Sequence, residues 1–297
     1  MHQDELDRMR APAIWFRRFS GKSSLSKLGG LPTLPSNTDW PRQRQSGMPL
    51  HFLAQIDLSQ LPRTPLEHTL DESGLPRNGL LFFFADIVEE MLWGENGGPL
   101  ATTRVIFSDQ SGPERSQPDD TPEIGHPFGE KSSKYTKGNT AFTQAALEPH
   151  VIDTFGGVPP FPDSADTYAA AAQAAMVASI ERATGAPLPV FKGPGAWAAI
   201  RTENPREYLH EVQLRGGGVR RELHCPQHQM LGAGKNIQGT AESAWAEGTI
   251  LLLQIDSDRA VHEEFIFCDM GAAQFWIEPN DLAATRFDKA WGTTEGG

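Results

Sequence analysis

Cysteine is almost missing from this sequence: Cys225 and Cys268 are the only two in 297 residues. One pair makes no disulfide framework, and a reducing cytoplasm is the simplest setting for such a chain. Long apolar runs are missing too, since no stretch approaches the roughly 18 residues that a membrane span needs. The first residues, MHQDELDRMR, are charged and lead into no apolar segment of a secretory signal. Positive charge is in deficit: 26 Lys and Arg stand against 38 Asp and Glu, a net charge of −12. Phosphate recognition needs a basic face, so a nucleic-acid partner is not expected. The local run RGGGVRR, Arg215 to Arg221, reads as a solvated glycine-rich loop. These absences together predict a cytoplasmic protein, monomeric or weakly dimeric, with neither membrane nor nucleic acid as partner.

The motifs of familiar chemistries are missing as well. No G-x-S-x-G elbow occurs, and Gly21-Lys22-Ser23-Ser24 lacks the following glycine. The glycine clusters Gly216 to Gly218 and Gly232 to Gly234 form no phosphate loop, because Gly234-Lys235-Asn236 lacks the hydroxyl residue a metal would need. His224, Cys225 and His228 are spaced as zinc ligands, yet no second pair completes a structural site. Asp256-Ser257-Asp258, followed by Glu263, Glu264 and Asp269, lacks the glycine and carboxylate spacing of a calcium loop and reads as a solvated acidic turn. No catalytic residue, cofactor or metal is assigned from sequence.

What is present is mainly strand. The 29 Gly and 23 Pro announce many turns. Apolar, aromatic and β-branched runs predict strands over 13–19, 50–57, 79–85, 100–108, 249–256, 265–268 and 273–277, with 140–155 returning to the sheet. GLLFFFA, Gly79 to Ala85, is apolar on both faces and suits a covered sheet. Ser26 to Pro41 carries too many prolines for regular structure, but Leu28, Leu31, Leu34 and Trp40 make it an ordered loop wrapped on a core. Asp109 to Asn139 is polar and reads as a long surface excursion. One helix is predicted over 164–184, capped by Asp163 or Ser164, with Asp166 in its first turn and Gly185 after its end. Tyr168, Ala172, Ala175, Met176, Ser179, Ile180 and Ala183 share one narrow face of it. A short helix is expected from Pro279 or Asn280.

One phrase is written twice. LHFLAQIDL at residues 50–58 aligns with ILLLQIDSD at 250–258, superposing Gln55 on Gln254 and Asp57 on Asp256. Downstream of each, a glycine starts another strand, so that Phe83 falls opposite Phe275 and Phe84 opposite Trp276. The order suggests duplication of a β-rich unit, with halves of roughly 13–155 and 186–291 joined by the helix. Strand alternation puts Leu53, Gln55 and Asp57 on one face, and Leu252, Gln254 and Asp256 on another. Two readings stand side by side: the four polar side chains meet as a polar site, or each Gln satisfies backbone groups and each Asp ends its strand by bonding to the next turn.

The blocks SKLGGLPTLP, PLHFLAQIDLSQLP, LPRNGLLFFF, HQMLGAGKNIQG, LLLQIDSD and FWIEPNDLAATRFD resemble, in order, those of the YwqG-like family (DUF1963), from about Ser26 to Trp291. The resemblance implies a single α+β unit spanning 1–297, built on a large, mainly antiparallel or mixed sheet with a few helices. It brings no reaction and no catalytic residue. In one place the chain departs from the pattern: Phe267-Cys268-Asp269 stands where a Trp-Gly-Asp segment is common.

The candidate ligand-binding residues are therefore Gln55, Asp57, Gln254, Asp256 and His228. Trp40 and Trp276 join them as aromatic walls of a small-ligand pocket. The expected function is that of a non-enzymatic binding protein for a protein or small molecule; the acidity suits a basic partner, as for an immunity or antitoxin-like protein. The alternative is a hydrolase or transferase using the Gln/Asp pairs and His228.

Overall fold

The computed structural model describes residues 2–19, 24–63, 74–87, 99–124, 142–156, 167–262 and 265–296. A short helix α1 (His2–Met9) leads into β1 (Arg10–Phe19), followed by β2 (Lys27–Leu28), β3 (His51–Asp57), β4 (Leu80–Ala85), α2 (Pro99–Thr102), β5 (Thr103–Ser108) and β6 (Ala145–Phe155). After the alanine-rich α3 (Thr167–Thr184) come β7 (Val190–Lys192), α4 (Ala196–Glu203), β8 (Tyr208–Gln213) and β9 (Val219–His224). The chain ends with β10 (Gln229–Met230), α5 (Thr240–Glu247), β11 (Ile250–Asp256), β12 (Ala272–Ile277), α6 (Pro279–Ala283) and β13 (Trp291–Glu295). Among the described residues no helix is long and apolar enough to cross a membrane.

Ten strands form one antiparallel sheet in the order β13-β12-β11-β10-β1-β6-β2-β3-β4-β5, and β7-β8-β9 form a second. The expected α+β class with a dominant sheet is what the chain adopts. The sheet curls until its two ends meet. A Cβ added to Gly292 on β13 would lie 2.3 Å from the Thr103 methyl of β5, so only glycine fits that contact. One face of the curled sheet encloses a single core in which Phe83 of β4 meets Phe275 of β12 edge to face, ring centroids 5.1 Å apart. The outer face is covered in three places: by the 31–50 loop over β3 and β4, by α3 over β1 and β6, and by α5 over β11 and β12.

The strand order is symmetric about its centre. β2 and β10 are both two-residue strands, and β3 and β11 share a bulge at the same place, between Phe52 and Ala54 and between Leu251 and Leu253. The Phe16 amide donates to the His228 carbonyl (2.7 Å), while the Leu147 amide donates to the Ser26 carbonyl (2.9 Å). This makes β1 and β6 equivalent, so the halves are β1–β5 and β6 with β10–β13. The boundary falls before β6, not after it as the sequence suggested. The predicted linker helix α3 is part of an insertion. Only 20–26 separate β1 from β2, whereas 156–228, with α3, β7–β9 and α4, separate β6 from β10.

Other differences have local causes. Residues 99–102 turn helical before the strand begins, with Pro99 at the first helical position. Residues 265–268 join no ladder: the Phe267 amide donates to Ser257 Oγ and the Phe265 carbonyl accepts from Asp258, folding Phe265 and Phe267 into the core as an edge-to-face pair. The bulge in β3 turns Leu53 to the core side with Ala54 and Ile56, so Leu53 does not share a face with Gln55 and Asp57. Leu252 does the same in β11. The predicted caps Asp163, Ser164 and Asp166 lie outside the described residues, as do Glu263, Glu264 and 125–141. The predicted helix face is the one that packs: Ala172, Ser179 and Ile180 are buried against the sheet side.

Candidate functional site

Four strands separate β3 from β11 in the sheet, and the two Gln-Ile-Asp ends point to different outer layers. The four polar side chains do not meet. Each Gln instead braces its own half, with the same bonds. Gln55 Oε1 accepts from the Thr33 amide (2.9 Å) and its Nε2 donates to the Leu25 carbonyl (2.9 Å). Gln254 Oε1 accepts from the Lys235 amide (2.8 Å) and its Nε2 donates to the Gln227 carbonyl (2.9 Å). Since Lys27 pairs with Gln55 and Gln229 with Gln254, these partners occupy equivalent positions. The correspondence between the halves therefore extends to SKLGGLPT at 26–33 and HQMLGAGK at 228–235. Both turn through a left-handed residue pair, Gly29-Gly30 (φ +56° and +70°) and Leu231-Gly232 (φ +62° and +66°).

The aspartates have diverged. Asp57 accepts from the Ser59 amide (3.0 Å) and hydroxyl (2.7 Å), ending its strand at the next turn. Asp256 turns back to the preceding loop, accepting from the Gln227 amide (2.7 Å) and from Lys235 Nζ (2.6 Å). His228 is 1 % exposed. Its Nδ1 accepts from the Asp256 amide (3.2 Å), which leaves Nε2 as the donor to Asp258 (3.2 Å), itself ion-paired to Arg18. Burial alone would raise the Asp258 pKa, but the hydrogen bond from His228 and the charge of Arg18 hold it below its ordinary value. The cavity beside His228 has a volume near 10 Å³, about one water. A substrate has no room there.

The two tryptophans pack. Trp40 donates its indole N–H to the Leu50 carbonyl (2.8 Å) and meets Phe84 edge to face. Trp276 is buried beside Trp291, and its Nε1 has no hydrogen-bond partner among the described residues. His224, Cys225 and His228 do not come together as a group of metal-ligand atoms among the described residues, and burial pushes the Cys225 thiol up to about 12.

An open cleft lies on the insertion. Between α3 and the β8–β9 hairpin is a cleft of about 430 Å³, lined among others by Ala174, Val177, Glu181, Leu209, Leu214 and Arg221. Arg221 is paired to Glu211 (3.3 Å) and Arg220 to Glu222. The opposite face of the hairpin carries Tyr208, His210, Glu222 and His224, because Tyr208 pairs with His224 and His210 with Glu222 across the strands. Among the described residues, His210, Glu222 and His224 form the group whose possible metal-ligand atoms all lie within 4.8 Å of one another. Reasoning from spacing missed it, because the partners come from two strands. The signal was the triple glycine of RGGGVRR between YLHEVQ and VRRELH, which marks a hairpin.

The family model described as "Domain of unknown function (DUF1963)" matches residues 26–295. No curated protein matches the chain.

Proposed function

The chain belongs to the DUF1963 family, whose membership brings no reaction with it, and we propose that it is a binding protein that takes a small apolar anion into the cleft between α3 and β8–β9. One observation carries this reading: the insertion that breaks the internal symmetry carries an open cleft. The repeated polar residues of the sheet are consumed in bracing its loops, which argues against a hydrolase or transferase built on the Gln/Asp pairs and His228. The cleft's volume falls within the roughly 300–1,000 Å³ of small-ligand pockets. Its alanine-lined wall suits an apolar body, and the guanidinium of Arg221, which shares the Leu209 face of the hairpin, suits an anionic head.

The probe is 1-anilinonaphthalene-8-sulfonate, an aromatic sulfonate of this chemistry. The native protein is expected to bind it saturably at one site. Ala174→Trp places an indole in the cleft from an exposed helix position. It is expected to weaken binding at least about tenfold with unchanged Tm, the scale on which one filled pocket position discriminates. Absence of saturable binding, or binding indifferent to the tryptophan, would overturn the reading.

A further inference from the structure

We propose that His210, Glu222 and His224 form a binding site for a divalent transition-metal ion on the outward face of the β8–β9 hairpin. It is a separate claim from the cleft, on the other side of the same strands. The antiparallel register sets the geometry. His210 lies directly across from Glu222, and His224 is the next residue along β9 on the same face, so two imidazoles and one carboxylate converge without any loop having to position them.

Their surroundings orient them. Tyr208 stacks on His224 with the rings parallel (1°) and the centroids 4.9 Å apart. Trp197, from α4, stands edge-on to His210 at 5.0 Å. Arg220 binds Glu222 Oε1, which leaves Oε2 facing His224 Nε2 at 3.7 Å. That nitrogen is the most informative atom of the group. It is shielded from solvent, yet it makes no hydrogen bond. A buried imidazole nitrogen left in this way carries a desolvation cost, and an ion between it and the carboxylate removes that cost.

The donor set selects the class of ion. Two imidazole nitrogens and one carboxylate oxygen suit Zn²⁺, Fe²⁺, Co²⁺ or Ni²⁺; the all-oxygen shells of Mg²⁺ and Ca²⁺ are not offered. Ligand atoms at about 2.0–2.2 Å from one ion stand roughly 3.5 Å apart in a tetrahedral site, so small side-chain rotations close the present separation. Three protein ligands leave at least one position open to water or an added ligand.

Isothermal titration of the full chain with ZnCl₂ is expected to show one ion per chain. Co²⁺ is expected to give visible d–d absorption that Zn²⁺ displaces. His210→Ala, Glu222→Gln and His224→Ala are each expected to weaken Zn²⁺ binding by at least about tenfold, whereas His150→Ala, outside the group, leaves it unchanged. If a variant fails to fold, the Co²⁺ spectrum of the native chain decides. No Co²⁺ absorption, no stoichiometric Zn²⁺ uptake, or uptake that survives loss of both histidines would overturn the proposal. Because the cleft test uses an organic anion and Ala174, either claim can fail alone.

Discussion

Replacing Gln55 by alanine is the sharpest test of the bracing role. Its side chain has no solvent exposure and holds two loop backbone groups, the Thr33 amide and the Leu25 carbonyl, besides accepting from the Thr33 hydroxyl (3.0 Å). Truncation leaves the buried Thr33 N–H with nothing in reach, at about 1–3 kcal/mol. The Leu25 carbonyl is only partly buried and recruits water, so it adds less. The cavity left by the missing amide and methylenes adds roughly another 1–2 kcal/mol. The total is about 2–5 kcal/mol, a large share of the 5–15 kcal/mol typical of a folded domain. Gln55→Glu keeps an acceptor for Thr33 but, when ionised, sets an oxygen against the Leu25 carbonyl, so it also destabilises. Urea denaturation followed by tryptophan fluorescence measures the loss as a fall in midpoint at constant slope. Gln254→Ala should match it, because Lys235 and Gln227 occupy the places of Thr33 and Leu25. A cost below about 1 kcal/mol in both variants would refute the argument, since an orphaned backbone N–H together with the cavity beside it cannot be that cheap.

Two further outcomes follow from the same loops and from the buried pair beside them. Gly232→Ala puts a Cβ 2.4 Å from Thr154 Oγ1 and 2.7 Å from the Ala13 Cβ, at φ +66°, so a loss of at least about 2 kcal/mol is expected by thermal denaturation; a neutral result would mean that the turn relaxes freely. Asp258 has its native pKa held below the unfolded value, so its contribution is complete above the ordinary carboxylate range and is lost as pH falls through the lowered native value. Asp258→Asn should therefore flatten the acid limb of a stability-against-pH curve, and an unchanged limb would count against the His228–Asp258–Arg18 network.

Much of the sheet was legible because its strands are apolar on both faces. Leu80 to Ala85 and Ile250 to Asp256 have no other way to bury their side chains, and the doubled Gln-Ile-Asp marked equivalent strands. What could not be read was the second repeat, because SKLGGLPT and HQMLGAGK share few identities. Their likeness lies in backbone hydrogen bonds and a left-handed turn that a leucine adopts in one copy and a glycine in the other. The bulges were also hidden, since an extra residue leaves the apolar pattern of LHFLAQID intact while turning Leu53 inward. The His210, Glu222 and His224 group escaped for a different reason: ligand spacing rules look along the chain, and a hairpin brings residues together across it.

The central ladder has a wider consequence. If Phe16 is equivalent to Leu147, then Arg17 is equivalent to Glu148, and these two residues are paired across β1 and β6. The symmetry axis passes through that pair, as it does in an isologous contact between identical subunits. Each half also lends its leading strand to the other: β1 lies against β10, and β6 against β2. The chain thus has the architecture of a strand-exchanged dimer written as one polypeptide. Covalent fusion releases the halves from having to stay alike, so one half can carry a long insertion that in a true dimer would appear twice. Such a molecule carries the cleft and the histidine cluster of its insertion on a two-fold frame, and neither half is complete without the strand supplied by its counterpart.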